Sequence, residues 1–124
     1  MKVLIVDDNE EIVFIVGMLL EDEGFEIRTA MDGEEGFRVF LEFEPDLIIT
    51  DIQMPRENGI ELMKHIRGFN PLVKNIYMSG DLRRFRPLLE EEREKYSVSL
   101  LEKPFSKDEL MGLVSEVAAR RGGA

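Results

Sequence analysis

The sequence predicts an α/β fold in which a five-stranded parallel sheet is covered by helices on both faces. Three observations carry that prediction. Short apolar runs of strand type alternate with segments of helical period, the pattern of repeated βαβ units, and five such pairs fit into the 124 residues. A chain of this length with 44% hydrophobic residues suits one domain, burying roughly two-thirds of its unfolded surface. Finally, three of the runs, Val3–Val6, Leu47–Thr50 and Val98–Leu101, end in charged residues: Asp7-Asp8, Asp51 and Glu102-Lys103. In an open α/β sheet, ligands bind outside the carboxyl ends of the strands.

The first strand is Val3–Val6. Ile12, Val16, Leu19 and Leu20 then mark one helix face, capped by Asn9 or Asp8, whose side chains can accept the free N–H groups of the first turn, and stopped at Gly24. Phe25–Ala30 reads as the second strand. The second helix runs from about Gly33 to Glu44 with Phe37, Phe40 and Leu41 inward, and Pro45-Asp46 separates it from the third strand, Leu47–Thr50. Gly59 opens a third helix carrying Ile60, Met63 and Ile66, and Val73–Met78 is the fourth strand, broken by Ser79-Gly80. Pro87 cannot sit in a helix interior without removing a hydrogen bond and clashing with the preceding turn. The fourth helix is therefore expected to start near Pro87, leaving Gly80–Arg86 as a long basic loop. After the fifth strand, Val98–Leu101, Ser106 caps the last helix and Glu109, three residues on, completes a capping box; Leu110, Leu113, Val114 and Val117 form its apolar stripe. Residues 1–120 are expected to form the domain and 121–124 a flexible stub.

Charge and composition exclude several classes. Lys and Arg total 16 against 26 Asp and Glu, a net charge of −10, which argues against nonspecific binding to nucleic acid or to an anionic membrane. Without cysteine there is neither a disulfide framework nor a thiolate metal site. The N-terminus turns acidic after four apolar residues, too short for a signal sequence, and no apolar run approaches the length of a membrane span. A cytoplasmic protein is expected.

The charged strand ends gather three carboxylates, Asp7, Asp8 and Asp51, and the Lys103 ammonium at one rim. A helix cap accounts for one acid. A second, and a third from a different strand, would repel the first in a partly desolvated cleft unless a divalent cation neutralised them. The lone His65 lies on the third helix as an ordinary surface residue, so the ligands are all oxygen, which selects a hard ion, magnesium rather than zinc. Pro104 after Lys103 fixes a tight turn and admits a cis bond. Three carboxylates, a divalent ion and one ammonium leave the rim close to neutral and able to accept a phosphoryl dianion. An Asp carboxylate can attack phosphorus to give an aspartyl phosphate, with cations stabilising the phosphoryl oxygens. Asp51, alone at its strand end, is the natural nucleophile. Ser79 either donates its hydroxyl to a phosphoryl oxygen or is a turn residue before Gly80.

Val6-Asp7-Asp8, Asp51-Ile52-Gln53-Met54-Pro55 followed by Asn58-Gly59, Ser79 after the fourth strand, and Lys103-Pro104-Phe105 together resemble the receiver domain of two-component response regulators, over the whole chain. The resemblance implies a flavodoxin-like, doubly wound sheet of order 2-1-3-4-5 flanked by five helices, and a phosphoryl group supplied by the phosphohistidine of a sensor histidine kinase or a phosphotransfer protein. It implies that Asp51 is the phosphoacceptor, that Asp8, Asp51 and the Gln53 backbone carbonyl ligate magnesium directly, and that Asp7 holds a metal-bound water. By the same resemblance Lys103 contacts a phosphoryl oxygen, Ser79 is the switch hydroxyl, and Gln53 and Asp81 tune the lifetime of the phosphoryl group. The only chemistry implied is self-phosphorylation and hydrolysis of the chain's own acyl phosphate, with a downstream protein as output partner.

The chain departs from that family at Leu100, where an aromatic switch residue is usual, and at Tyr96-Ser97, where Gly-Ala is usual. Because Leu100 cannot swing a hydroxyl between core and solvent, the Gly80–Arg86 loop is expected to reorder on phosphorylation and present the fourth helix to a partner. A haloacid-dehalogenase-like phosphatase needs an acid two residues beyond its nucleophile, where this chain has the amide Gln53. A flavodoxin-like nucleotide binder needs a loop of amide donors after the first strand, where Asp7-Asp8-Asn9-Glu10-Glu11 repels phosphate. The alternative reading is a pseudo-receiver, a protein-binding module without phosphorylation, which loss of an acid or of the lysine would mark.

Overall fold

The computed structural model describes residues 1–120; the stub expected at 121–124 lies outside the described residues. The strands β1 (Lys2–Val6), β2 (Glu26–Ala30), β3 (Leu47–Asp51), β4 (Lys74–Ser79) and β5 (Val98–Glu102) form one parallel sheet of order β2-β1-β3-β4-β5. The connections carry α1 (Glu10–Asp22), α2 (Gly33–Phe43), α3 (Gly59–Arg67), α4 (Leu82–Lys95) and α5 (Lys107–Ala119). The winding direction reverses between β1 and β3, where Val6 pairs with Thr50. Connections diverge there, and it is beyond the strand ends at such a point that doubly wound sheets bind their ligands.

The central strands are apolar on both faces because both faces are covered. Leu4, Val6, Ile48 and Tyr77 face α2, α3 and α4, whereas Val3, Ile5, Ile49, Ile76 and Met78 face α1 and α5. Local signals set most helix ends. Asn9, not Asp8, accepts the Glu11 and Ile12 N–H groups at 3.0 and 3.2 Å, and Gly24 takes the left-handed conformation, φ 92°, that ends α1. Ser106 and Glu109 make the expected capping box.

Two expectations are corrected. Leu41 is 49% exposed, and Gly36, Val39, Phe40 and Phe43 form the buried face of α2; Gly36 packs against Leu62 and Val6 and fixes that phase. More consequentially, Gly80–Arg86 is not a loop: α4 begins at Leu82 and contains Pro87. Leu82, Phe85, Leu89 and Glu92 share one helical stripe against the core. Pro87 lies on the exposed face, where the carbonyl it deprives, that of exposed Arg83, can turn to water. Burial of the stripe outweighs one solvent-side hydrogen bond.

Candidate active site at the sheet's switch point

β1 is followed directly by Asp7, which is fully buried, and by exposed Asp8; β3 ends in Asp51, 7% exposed. One carboxylate oxygen from each lies within 4.8 Å of the others. Lys103, brought in by β5, donates from Nζ to Asp7 Oδ2 at 2.8 Å and stands 3.4 Å from Asp51 Oδ1. The Lys103-Pro104 peptide is cis, and the Lys103 N–H donates to the Ser79 carbonyl at 2.8 Å, tying the β5 end to the β4 end. Asp7 Oδ1 accepts the Asn9 N–H at 3.0 Å, so both of its oxygens are held.

Asp51 is the electrostatically strained member. Burial first, then the neighbouring Asp7 carboxylate, push its carboxyl from the ordinary 3.8 up to about 6, with Lys103 opposing and Asp8 adding. One ammonium therefore does not neutralise the cluster, and the rim favours more positive charge. Three oxygen donors this close, one of them solvent-exposed, fit a hard divalent cation. At neutral pH Asp51 remains largely ionised and, with its raised basicity, is a capable nucleophile.

The structure thus brings Asp7, Asp8, Asp51 and Lys103 together. Ser79 stands at the end of β4, 1% exposed, and its Oγ accepts the Asp81 N–H at 2.9 Å. Gln53 and Asp81 are exposed, Gln53 two residues past Asp51 and Asp81 at the N-cap of α4. His65 is a surface residue, paired with Glu57 at 2.9 Å.

Two features escaped the sequence reading. A Cβ at Gly59 would overlap the Asp51 carbonyl oxygen, and the Gly59 N–H donates to the Ile52 carbonyl at 2.8 Å; the Asn58-Gly59 pair was legible as a helix start, but not as the close approach that seats α3 against the backbone of Asp51. The second is a buried network joining α3, β4 and α4: Arg67 Nη1 and the Tyr77 hydroxyl both donate to Glu92 Oε1, each at 2.6 Å. Its signal was there, since Arg67 and Glu92 fall in phase with the apolar stripes of their helices.

The comparisons agree with this geometry. The family model described as the response regulator receiver domain matches residues 3–115. The alkaline phosphatase synthesis transcriptional regulatory protein PhoP of Bacillus subtilis is 32% identical over 119 residues, which is 96% of this chain and 49% of PhoP. Sporulation initiation phosphotransferase F of the same organism is 27% identical, over 93% of this chain and 91% of its own. The chain spans about half the length of the transcriptional regulators it matches. Among solved structures, the chemotaxis protein CheY4 of Vibrio cholerae superposes with a TM-score of 0.84 at 29% identity, covering 94% of this chain and 97% of that one. Neither an acid nor the lysine is missing from the rim, so the mark of a pseudo-receiver is absent from it. With a doubly wound sheet, an acidic crevice at its switch point and a family match along nearly the whole chain, this protein belongs to the response regulator receiver domains.

Proposed function

We propose that the chain is a phosphoryl-accepting signalling switch in which Asp51 is the nucleophile. The observation that carries the reading is the convergence of Asp7, Asp8 and Asp51 with Lys103 around a carboxyl whose basicity is raised. Asp7, Asp8 and Asp51, with the Gln53 carbonyl, would hold magnesium, which supplies charge neutralisation for the transferred phosphoryl oxygens. An Asp51 oxygen attacks phosphorus of the phosphohistidine, or of a small acyl phosphate; the bond from phosphorus to the donor breaks, its electron pair leaves with the donor, and an aspartyl phosphate remains. Lys103, held beside Asp51 by Asp7, moves its ammonium to a phosphoryl oxygen. Hydrolysis reverses the modification when water attacks phosphorus and the Asp51 carboxylate departs.

The phosphoryl source in this reading is a sensor histidine kinase or a phosphotransfer protein, and the output is a contact with a downstream protein. The domain itself binds neither nucleic acid nor membrane and works in the cytoplasm; the net charge of −10 supports the first, and among the described residues no helix is long and apolar enough to cross a membrane. Self-phosphorylation and hydrolysis of its own acyl phosphate are its only chemistry. Intact mass after incubation with acetyl phosphate tests the reading. Wild type gains one phosphoryl group in magnesium and none in chelator, and Asp51→Asn gains none; full modification of Asp51→Asn would refute the nucleophile.

A further inference from the structure

The turn between β3 and α3 carries the Gln53 carbonyl proposed above as a metal donor, and its backbone does little to hold it in place. The Ile52 N–H donates to the Met78 carbonyl at 3.1 Å and the Gly59 N–H to the Ile52 carbonyl at 2.8 Å, which closes the two ends of the turn. Among the described residues, 53–57 make no backbone-to-backbone hydrogen bond between those ends. A segment without such bonds opens at little cost, so what fixes its tip must come from packing and side chains.

Two contacts fix it, and both go to the start of α2. Arg56 Nη1 donates to Glu34 Oε2 at 3.2 Å and stands 3.9 Å from Asp32 Oδ2. Arg56 does so from the left-handed conformation, φ 70°, which is unfavourable for a residue with a Cβ. The second contact is steric: a Cβ on Gly33 would lie 2.7 Å from the Glu57 carbonyl oxygen and 2.8 Å from the Glu57 Cβ, so only glycine lets turn and helix close. The receiving side is itself well held. Asp32 uses Oδ1 to accept the Glu35 N–H at 2.8 Å and leaves Oδ2 toward Arg56, while Glu35 Oε1 accepts the Met31 N–H at 3.0 Å.

Topology gives these contacts their meaning. β2 and β3 flank β1 in the sheet, so a link from the turn after β3 to the turn after β2 passes beside the end of β1, where Asp7 and Asp8 lie. In a crevice suited to a cation, an added arginine is by itself unfavourable to the ligand. One residue thus carries both an unfavourable backbone and an unfavourable charge, and outliers of that kind persist where the surrounding contacts need them.

We propose that Arg56 and Gly33 form a strap across the end of β1 that holds the Gln53 turn in its metal-binding position, which makes Arg56 a positioning residue for magnesium. This rests on the phosphoryl-accepting reading above. Asp32 and Glu34 offset the guanidinium, so the strap holds the turn without setting an uncompensated charge against the ion. The pair is exposed, 68% at Arg56 and 70% at Glu34, so its effect is modest and falls with salt.

Calorimetric titration of the full chain with magnesium chloride, alongside melting curves in chelator, tests this. Arg56→Gln should bind magnesium about threefold more weakly than wild type, the scale of one exposed ion pair. The sign is diagnostic, because loss of a nearby positive charge would by itself tighten the binding of a cation. In about 1 M sodium chloride, where such pairs are screened, the ratio between the two proteins should close toward one. Gly33→Ala, which wedges the turn away from α2 without changing charge, should weaken binding at both salt concentrations. Arg56→Gly suits the left-handed backbone: it should weaken magnesium as Arg56→Gln does and yet melt no lower than wild type, which a merely structural role would not give. The strap is refuted if Arg56→Gln binds magnesium as tightly as wild type or more tightly, if Arg56→Gly loses stability in step with affinity, or if a folded Gly33→Ala binds as wild type does. Should Gly33→Ala fail to fold, the two Arg56 variants still decide. Wild type that binds no magnesium and gains no phosphoryl mass overturns the metal site and the strap together, whereas normal wild-type binding with unchanged variants overturns the strap alone.

Discussion

Replacing Asp51 with Asn should stabilise the protein in the absence of a divalent cation, although it removes the proposed nucleophile. Burial and the Asp7 charge raise the Asp51 carboxyl from 3.8 to about 6, so above pH 6 the folded state holds an ionised group that the unfolded chain would solvate more favourably. That rise corresponds to about 3 kcal/mol at most. Water reaches this crevice through exposed Asp8, and the Asn amide must itself be desolvated, which discounts the gain to about 1–2 kcal/mol, or roughly 5 °C in melting temperature. Lys103 is not orphaned by the change, because its shorter bond is to Asp7, 2.8 Å against 3.4 Å to Asp51. The pH dependence carries the sign. With its folded value raised, the native state binds more protons than the unfolded state between pH 3.8 and about 6, so the penalty in wild type is complete above that window and vanishes as pH falls through it. The advantage of Asp51→Asn should therefore be full at pH 7.5, shrink from pH 6 downward and be gone near pH 4. Thermal melts of both proteins in chelator across this range measure it. An Asn variant no more stable than wild type at pH 7.5, or an advantage that does not change with pH, would refute the electrostatic account of the site.

Magnesium should raise the melting temperature of wild type by mass action and narrow the gap to Asp51→Asn, while Asp8→Asn shows little response; flat melting curves across a wide magnesium range would count against the three-carboxylate site. Replacing Gln53 or Asp81 with Ala should change the dephosphorylation rate more than the phosphorylation rate, as followed by the decay and growth of the phosphorylated mass, since both side chains are exposed beside the rim; equal effects on the two rates would show that they act elsewhere. Gly59→Ala forces a methyl against the Asp51 carbonyl and should cost about 1–3 kcal/mol of stability as well as slowing phosphoryl uptake, both measurable on one preparation.

The α/β class, the number of elements and the rim acids were legible in the sequence because each is a local signal. A strand buried on both faces is apolar nearly throughout, as Val3–Val6 and Leu47–Ile49 are, and its end is marked by the first residue that cannot be buried unpaired. Capping chemistry is local too, and Ser106 with Glu109 announced α5 within four positions. The start of α4 was not legible: the proline rule weighs one lost hydrogen bond, whereas the structure weighs that against burial of Leu82, Phe85, Leu89 and Glu92 on a sheet the local sequence does not contain. The phase of α2 was decided in the same way by Gly36, whose missing side chain matters only because Val6 and Leu62 come close. Distance in the chain also concealed the raised basicity of Asp51 and the grip of Tyr77 and Arg67 on Glu92, since the first needs burial of Asp51 in the fold with the Asp7 carboxylate close by and the second joins residues 15 and 25 positions apart. Sequence alone determined which groups the chain possesses and where each element turns polar. Tertiary structure decided which charges share a low-dielectric space, and there the interaction between them is strong enough to raise the basicity of a carboxylate and to hold a helix in place.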